Sequence, residues 1–86
     1  MKYAVIWIPE AETELAEIWL AATDRAVITN TTREIEFLLE TNPLLVGESR
    51  EENHVRVLFI APLMVGYLAD SSNRTVYVFS IRRTIS

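Results

Sequence analysis

Apolar and polar positions recur along this chain with two different periods, and the change of period divides it into a helical half and a strand half. The run Tyr3-Ala4-Val5-Ile6-Trp7-Ile8 is short, apolar and rich in β-branched and aromatic side chains, which predicts a strand buried on both faces. Pro9 ends it. Proline suits the first helical turn, where its missing N–H has no intrahelical partner, and Glu10, Glu12 and Glu14 place negative charge at the positive end of a helix. Ala11, Leu15, Ile18, Trp19 and Ala22 then recur at one face of a 3.6-residue period. A side-chain oxygen of Thr23 or Asp24 is placed to cap a second helix, whose apolar face is Ile28, Thr31, Ile35, Leu38 and Leu39. Thr29-Asn30-Thr31-Thr32 is poor helix sequence, so packing must hold that turn. The helix runs to Glu40, and Thr41-Asn42-Pro43 stops it, because a residue before proline is pushed out of the α region.

Residues 44–53 hold Gly47 and a polar, charged cluster and read as an exposed loop. From His54 the period shortens. Val55–Ile60, Met64–Ala69 and Thr75–Ile81 are strand-like, with Ala61-Pro62-Leu63 and Asp70–Arg74 as turns. The order is β-α-α-β-β-β, an α+β fold in one domain over residues 1–86: a helical hairpin packed on a mostly antiparallel four-stranded sheet. In the last strand Tyr77, Phe79 and Ile81 should face one way and Val76 and Val78 the other. Both faces are then apolar, so a partner, a second copy or a closing loop is expected over the face the helices leave open.

Composition narrows the chemistry. With no cysteine and one histidine, His54, the chain offers no metal site, and nothing in it calls for a cofactor. At 86 residues a single core is only marginally stable, so association is expected. No apolar run approaches the roughly 18–20 residues needed to span a bilayer, and Met1-Lys2 leads straight into the first strand without a signal core. The expected location is the cytoplasm. Residues 1–43 hold three basic and eight acidic side chains (net −5), and residues 44–86 hold five basic and four acidic (net +1). Such a balance argues against tight RNA binding, which draws much of its affinity from phosphate contacts.

Most eye-catching residues have plain explanations. Trp7 and Trp19 fall on apolar faces and read as core, the glutamates at 10, 12, 14 and 17 as a solvated helix face, and His54 as a surface residue. Arg56 alternates with Val55 and Val57, so it shares a face with Leu58 and Ile60, where it is either functional or half-buried and paired. Arg82-Arg83 binds phosphate, contacts a partner, or blunts the end of an exposed strand.

Taken together, Trp7-x-Pro9-x-Ala11-x-x-x-Leu15-x-x-Ile18-Trp19, the Asn42-Pro43 stop, and Arg56-x-Leu58 followed by Pro62 and Tyr67 resemble the RelE/ParE toxin superfamily, which includes plasmid-stabilisation proteins. The resemblance covers nearly the whole chain. It implies a toxin neutralised by a cognate antitoxin that wraps its functional surface.

Two branches of that superfamily imply different targets. The RelE-like branch is a ribosome-dependent mRNA endonuclease, in which a 2′-hydroxyl attacks the adjacent phosphate. For that chemistry the candidates here are Glu48 as base, Arg50, Arg56, Arg82 and Arg83 as charge stabilisers, and His54 or Tyr67 as proton carriers. Arg56, Arg82 and Arg83 lie nearest the family's functional basic positions and come first. Two features depart from the endonuclease pattern. Met64 stands where that branch carries an arginine three residues before its tyrosine, and no His-Tyr or Arg-Tyr tail follows Ile81-Arg82-Arg83. The ParE-like branch inhibits DNA gyrase by protein contact, and the tryptophan-proline start of the first helix is closer to it. A domain that has lost toxicity and serves only for interaction is the third reading.

Overall fold

The structure is a computed structural model and describes residues 2–49 and 55–84. The elements are β1 (Ala4–Trp7), α1 (Pro9–Ala21), α2 (Arg25–Thr41), β2 (Glu48–Ser49), β3 (Val55–Ile60), β4 (Leu63–Asp70) and β5 (Thr75–Arg83). They form an α+β fold in which the sheet order is β1-β5-β4-β3-β2. β1 runs parallel to β5, with Ala4 opposite Thr75 and Trp7 opposite Val78, and every other pairing is antiparallel.

The sheet has five strands where the sequence pattern predicts four. The addition is β2, inside the segment read as a loop, whose two residues pair with Val57 and Arg56 of β3. Two residues show no period, so nothing in the pattern marks them.

Pro9 begins α1, and Glu10 and Glu12 occupy its first turn. The expected side-chain cap on α2 does not form. Asp24 stands at the N-cap, and its backbone oxygen accepts from Val27 and Ile28, while its carboxylate is drawn away to Arg83. Arg25 turns back to donate to Trp19 O (3.0 Å) and Leu20 O (2.9 Å), the carbonyls that end α1. In the threonine-rich turn of α2, Thr32 Oγ1 donates to Ile28 O at 2.8 Å, and Thr31 is buried. Packing thus overrides poor propensity there.

The core lies between the helices and one sheet face. Ala11 of α1 and Ile28, Ile35 and Leu39 of α2 meet Leu63, Val65, Tyr67 and Ala69 of β4, with Val76, Val78 and Ile81 of β5 beside them. Ile81 departs from the expected alternation. A bulge in the β4–β5 register, between Gly66/Tyr67 and Val78/Ser80, turns Ile81 to the same buried side as Val76 and Val78. A second correction concerns β1, which is an edge strand and not buried on both faces. Val5 and Trp7 pack toward the core, while Ile6 is 45% exposed.

The opposite sheet face carries no helix among the described residues. Phe59 (56% exposed) and Phe79 (39%) stand on it, together with Ile6 and half-buried Met64 and Leu68.

Candidate functional site

Three features of this scaffold gather the residues singled out by sequence. The first is the anchor of the segment after α2. Tyr67 is fully buried in mid-sheet, and its hydroxyl sits 2.7 Å from Pro43 O and 2.8 Å from Val46 O, so its one proton is shared between two carbonyls. Arg56, directly across the ladder from Tyr67 and on the same face, donates from Nε to Val46 O and from Nη2 to Gly47 O, both at 3.1 Å. Its Nη1 reaches Ser49 Oγ at 3.3 Å. Arg56 is therefore the half-buried, paired residue of the two alternatives. Gly47 makes the close approach feasible: its φ is +71°, and a Cβ there would lie 2.7 Å from Val57 O and 3.0 Å from Tyr67 Oη. Burial raises the phenol pKa of Tyr67, with Arg56 nearby opposing that shift in part. A phenol so held stays protonated and engaged with the backbone.

The second feature is a clasp between the hairpin turn and the end of the sheet. Arg83 Nη1 and Nη2 donate to Asp24 Oδ1 (2.9 Å) and Oδ2 (2.8 Å), a two-pronged ion pair across 59 residues of sequence. The Arg83 hydrogen bonds hold the Asp24 carboxyl below the usual carboxylate range, and the same contact raises the guanidinium pKa. Arg82 is opposite Met64, on the helix-free face. Neighbours in sequence, the two arginines point to opposite sides of the sheet.

The sequence candidates therefore separate in space. Arg56 and Tyr67 meet, but over the loop carbonyls; Arg83 meets Asp24; Arg82 is exposed on the far face; Glu48 pairs with Val57 and shares that residue's face, opposite to Arg56. Arg50 and His54 lie outside the described residues. Among the described residues no group of three or more His, Cys, Asp or Glu is placed to hold a metal ion, and no helix is long and apolar enough to cross a membrane.

The third feature is a cleft of about 630 Å³ between α1 and α2. Its floor is Leu15, Ala16 and Ile28, and the two tryptophans form its ends. Trp7 Nε1 donates to Glu36 Oε2 (3.0 Å), and Trp19 Nε1 donates to Thr29 Oγ1 (3.2 Å), so each indole bridges toward α2. Arg25 stacks 4.6 Å from the Trp19 ring centroid. Trp19 is thus a wall of the cleft, 39% exposed, and not the core residue its position on the helical period suggests, while neighbouring Leu20 is 63% exposed. Sequence reasoning missed this surface. Its signal was present: Ile18, Trp19 and Leu20 are three consecutive apolar residues, and at about 100° each they span more of the helix than one packed face.

Comparison with known proteins supplies the name of the architecture. No family model matches the chain, and no curated protein matches it in sequence. Among solved structures, the toxin–antitoxin complex RelBE2 from Mycobacterium tuberculosis aligns with 100% of this chain and 95% of its own, at 17% identity and a TM-score of 0.79. The fold is that of the RelE/ParE toxins. The chromosomal ParDE system from P. aeruginosa aligns at 0.74 over 96% of this chain and 97% of its own, with 14% identity. The isolated E. coli RelE toxin aligns at 0.71 over 98% and 86%, also with 14% identity.

Proposed function

We propose that this chain is the toxin of a two-component toxin–antitoxin pair, held inactive by a cognate antitoxin and acting on its target by protein contact, as a gyrase inhibitor would. The observation that carries the first part is the end-to-end match to a toxin solved with its antitoxin, 100% of this chain against 95% of that one. Support for contact over RNA cleavage comes from the arginines. Phosphoryl transfer from a 2′-hydroxyl needs cationic groups converging on one phosphate, whereas Arg56 and Arg83 are engaged with loop carbonyls and Asp24, on the opposite face from Arg82. Met64 occupies the place of a further cation on Arg82's own row. The helix-free face is apolar, and the chain carries a net charge of −4, both better suited to protein than to phosphate.

Induction of the chain alone in bacteria should arrest growth, and the short reading frame beside its gene should rescue it. A supercoiling assay with purified gyrase should then show inhibition, while primer extension on ribosome-bound messages should show no new cut sites. New 5′ ends that depend on the chain would replace gyrase with mRNA as the target. Absence of growth arrest would leave the third reading, an interaction domain without toxicity.

A further inference from the structure

The sheet face opposite the helices is apolar in its middle and carries opposite charges at its two ends. The bulge in β5 turns two consecutive residues to this side: a Cβ on Gly66 would lie 3.0 Å from the Phe79 ring and 2.7 Å from Ser80 Oγ, so the ring lies across the glycine and leaves the surface low there. The register places Phe59 opposite Met64, and Tyr77 between Leu68 and Ile6. Arg82 stands at one end of the face, opposite Met64, and Asp70 at the other, opposite Thr75. They belong to adjacent antiparallel strands, about 20 Å apart along β4. Ser72 Oγ (2.7 Å) and Asn73 Nδ2 (2.8 Å) donate to the Asp70 carboxylate, and these bonds, that from Ser72 foremost, hold it below the usual carboxylate range. The anionic end is therefore fixed in place.

We propose that this face receives a second copy of the chain, in a two-fold pair in which sheet packs on sheet and Arg82 of each protomer meets Asp70 of the other. The inference goes beyond the toxin reading and does not depend on it. Charge selects this occupant. A half-turn about an axis lying in the sheet and across its strands exchanges the two ends of the face, so the cation of one copy comes over the anionic end of the other, and does so twice. The acid of the chain does not oppose this approach. All seven glutamates of the helices belong to the layer packed on the far side of the sheet, about 10 Å away, roughly a Debye length in physiological salt. Glu48, on the short edge strand β2, stays at the rim. A nucleic acid would meet one arginine and two carboxylates on the same strands. Size sets the strength of the pair. Five strands about 4.8 Å apart, with β4 the tallest but one at eight residues, give a face of roughly 24 by 26 Å, so about 1,200 Å² is buried in all, at the lower limit of specific interfaces. Such a pair forms in the micromolar range and dissociates on dilution.

Sedimentation equilibrium of the full chain, from about 1 μM to about 500 μM, should show its mass rising from 9.9 kDa toward twice that value. Phe59→Ala should weaken the pair about tenfold. Phe37→Ala removes an equally exposed ring from α2 (59% against 56%) and should leave pairing within about twofold. Arg82→Glu and Asp70→Arg should each leave the chain monomeric, because like charges then meet twice across the axis. Mixed in equal amounts, the two variants should pair again, each complex holding one native and one reversed ion pair. Thermal unfolding shows whether each variant is folded. If Asp70→Arg unfolds through loss of its turn, Asp70→Asn retains an acceptor for Ser72 and Asn73 and should weaken pairing in the wild-type chain but not in Arg82→Ala. A mass fixed at 9.9 kDa throughout, equal weakening by the two phenylalanine variants, a mixture of folded variants that stays monomeric, or an equal effect of Asp70→Asn in both backgrounds overturns the proposal. Growth arrest is read separately, so a monomeric toxin sinks this inference alone, and a chain that pairs without arresting growth sinks the toxin reading alone.

Discussion

Single residues show most clearly how far the sequence could be read. Arg56, Arg82 and Arg83 look alike on paper, yet each has a different task in space. Arg83 pairs with Asp24, Arg56 fastens a loop, and Arg82 faces solvent on the open side of the sheet. Alternation placed Arg56 on the correct face, because a strand's period of two survives without knowledge of its neighbours. The partner of Asp24 was beyond reach, since it lies 59 positions away. Of the three, Arg82 is the residue we propose for target contact: on the toxin reading, Arg82→Ala should reduce growth arrest with the unfolding midpoint unchanged. Arg83→Ala should instead lower that midpoint and reshape its pH dependence. The sign follows from the depressed Asp24 carboxyl. Its contribution is present above the unfolded carboxylate value, near 3.9, and is lost as pH falls through the lower folded value. Acid titration of stability, compared between the wild-type chain and Asp24→Asn, should therefore diverge at neutral pH and converge toward pH 2.

Elements were legible where a period ran long enough, and illegible where two residues or a register shift decided the outcome. Pro9 and the spacing from Ala11 to Ala22 sufficed for α1, and Asn42-Pro43 sufficed for the end of α2. β2 was not legible, because it is held by side chains outside itself: Arg56 donates to Gly47 O and Ser49 Oγ, and Tyr67 reaches Val46 O. Tyr67→Phe should cost about 1–2 kcal/mol by leaving a buried loop carbonyl without its donor, measured by urea unfolding. The same substitution should abolish a loss of stability above about pH 10. With its folded pKa raised, the wild-type phenol favours the native state below the unfolded value and loses that advantage as pH climbs past it. Gly47→Ala should be costlier, on the order of 1–3 kcal/mol, because φ is positive there and the new Cβ would meet Val57 O at 2.7 Å. At the other hairpin, Arg25→Ala removes both hydrogen bonds to the last carbonyls of α1 and its stack on Trp19. A loss of about 1 kcal/mol with a change in indole emission is expected.

At the scale of the molecule, the order of strands was only half legible. The three-strand meander followed from short turns, but the place of β1 did not, since a parallel partner can be any strand reached by a long crossover. Its all-apolar sequence suggested burial on both faces, whereas the structure sets it at the edge against β5. That arrangement bears on synthesis. β5, the strand translated last of the five, lies between β1 and β4 and supplies part of the core through Val76, Val78 and Ile81. While the message is being read, the first strand waits some 70 residues for its partner, and the helices have half a floor to rest on. A nascent chain stalled before Thr75 should therefore be digested by protease far faster than the finished one. The machinery that makes this protein holds an unfinished thread until β5 is released.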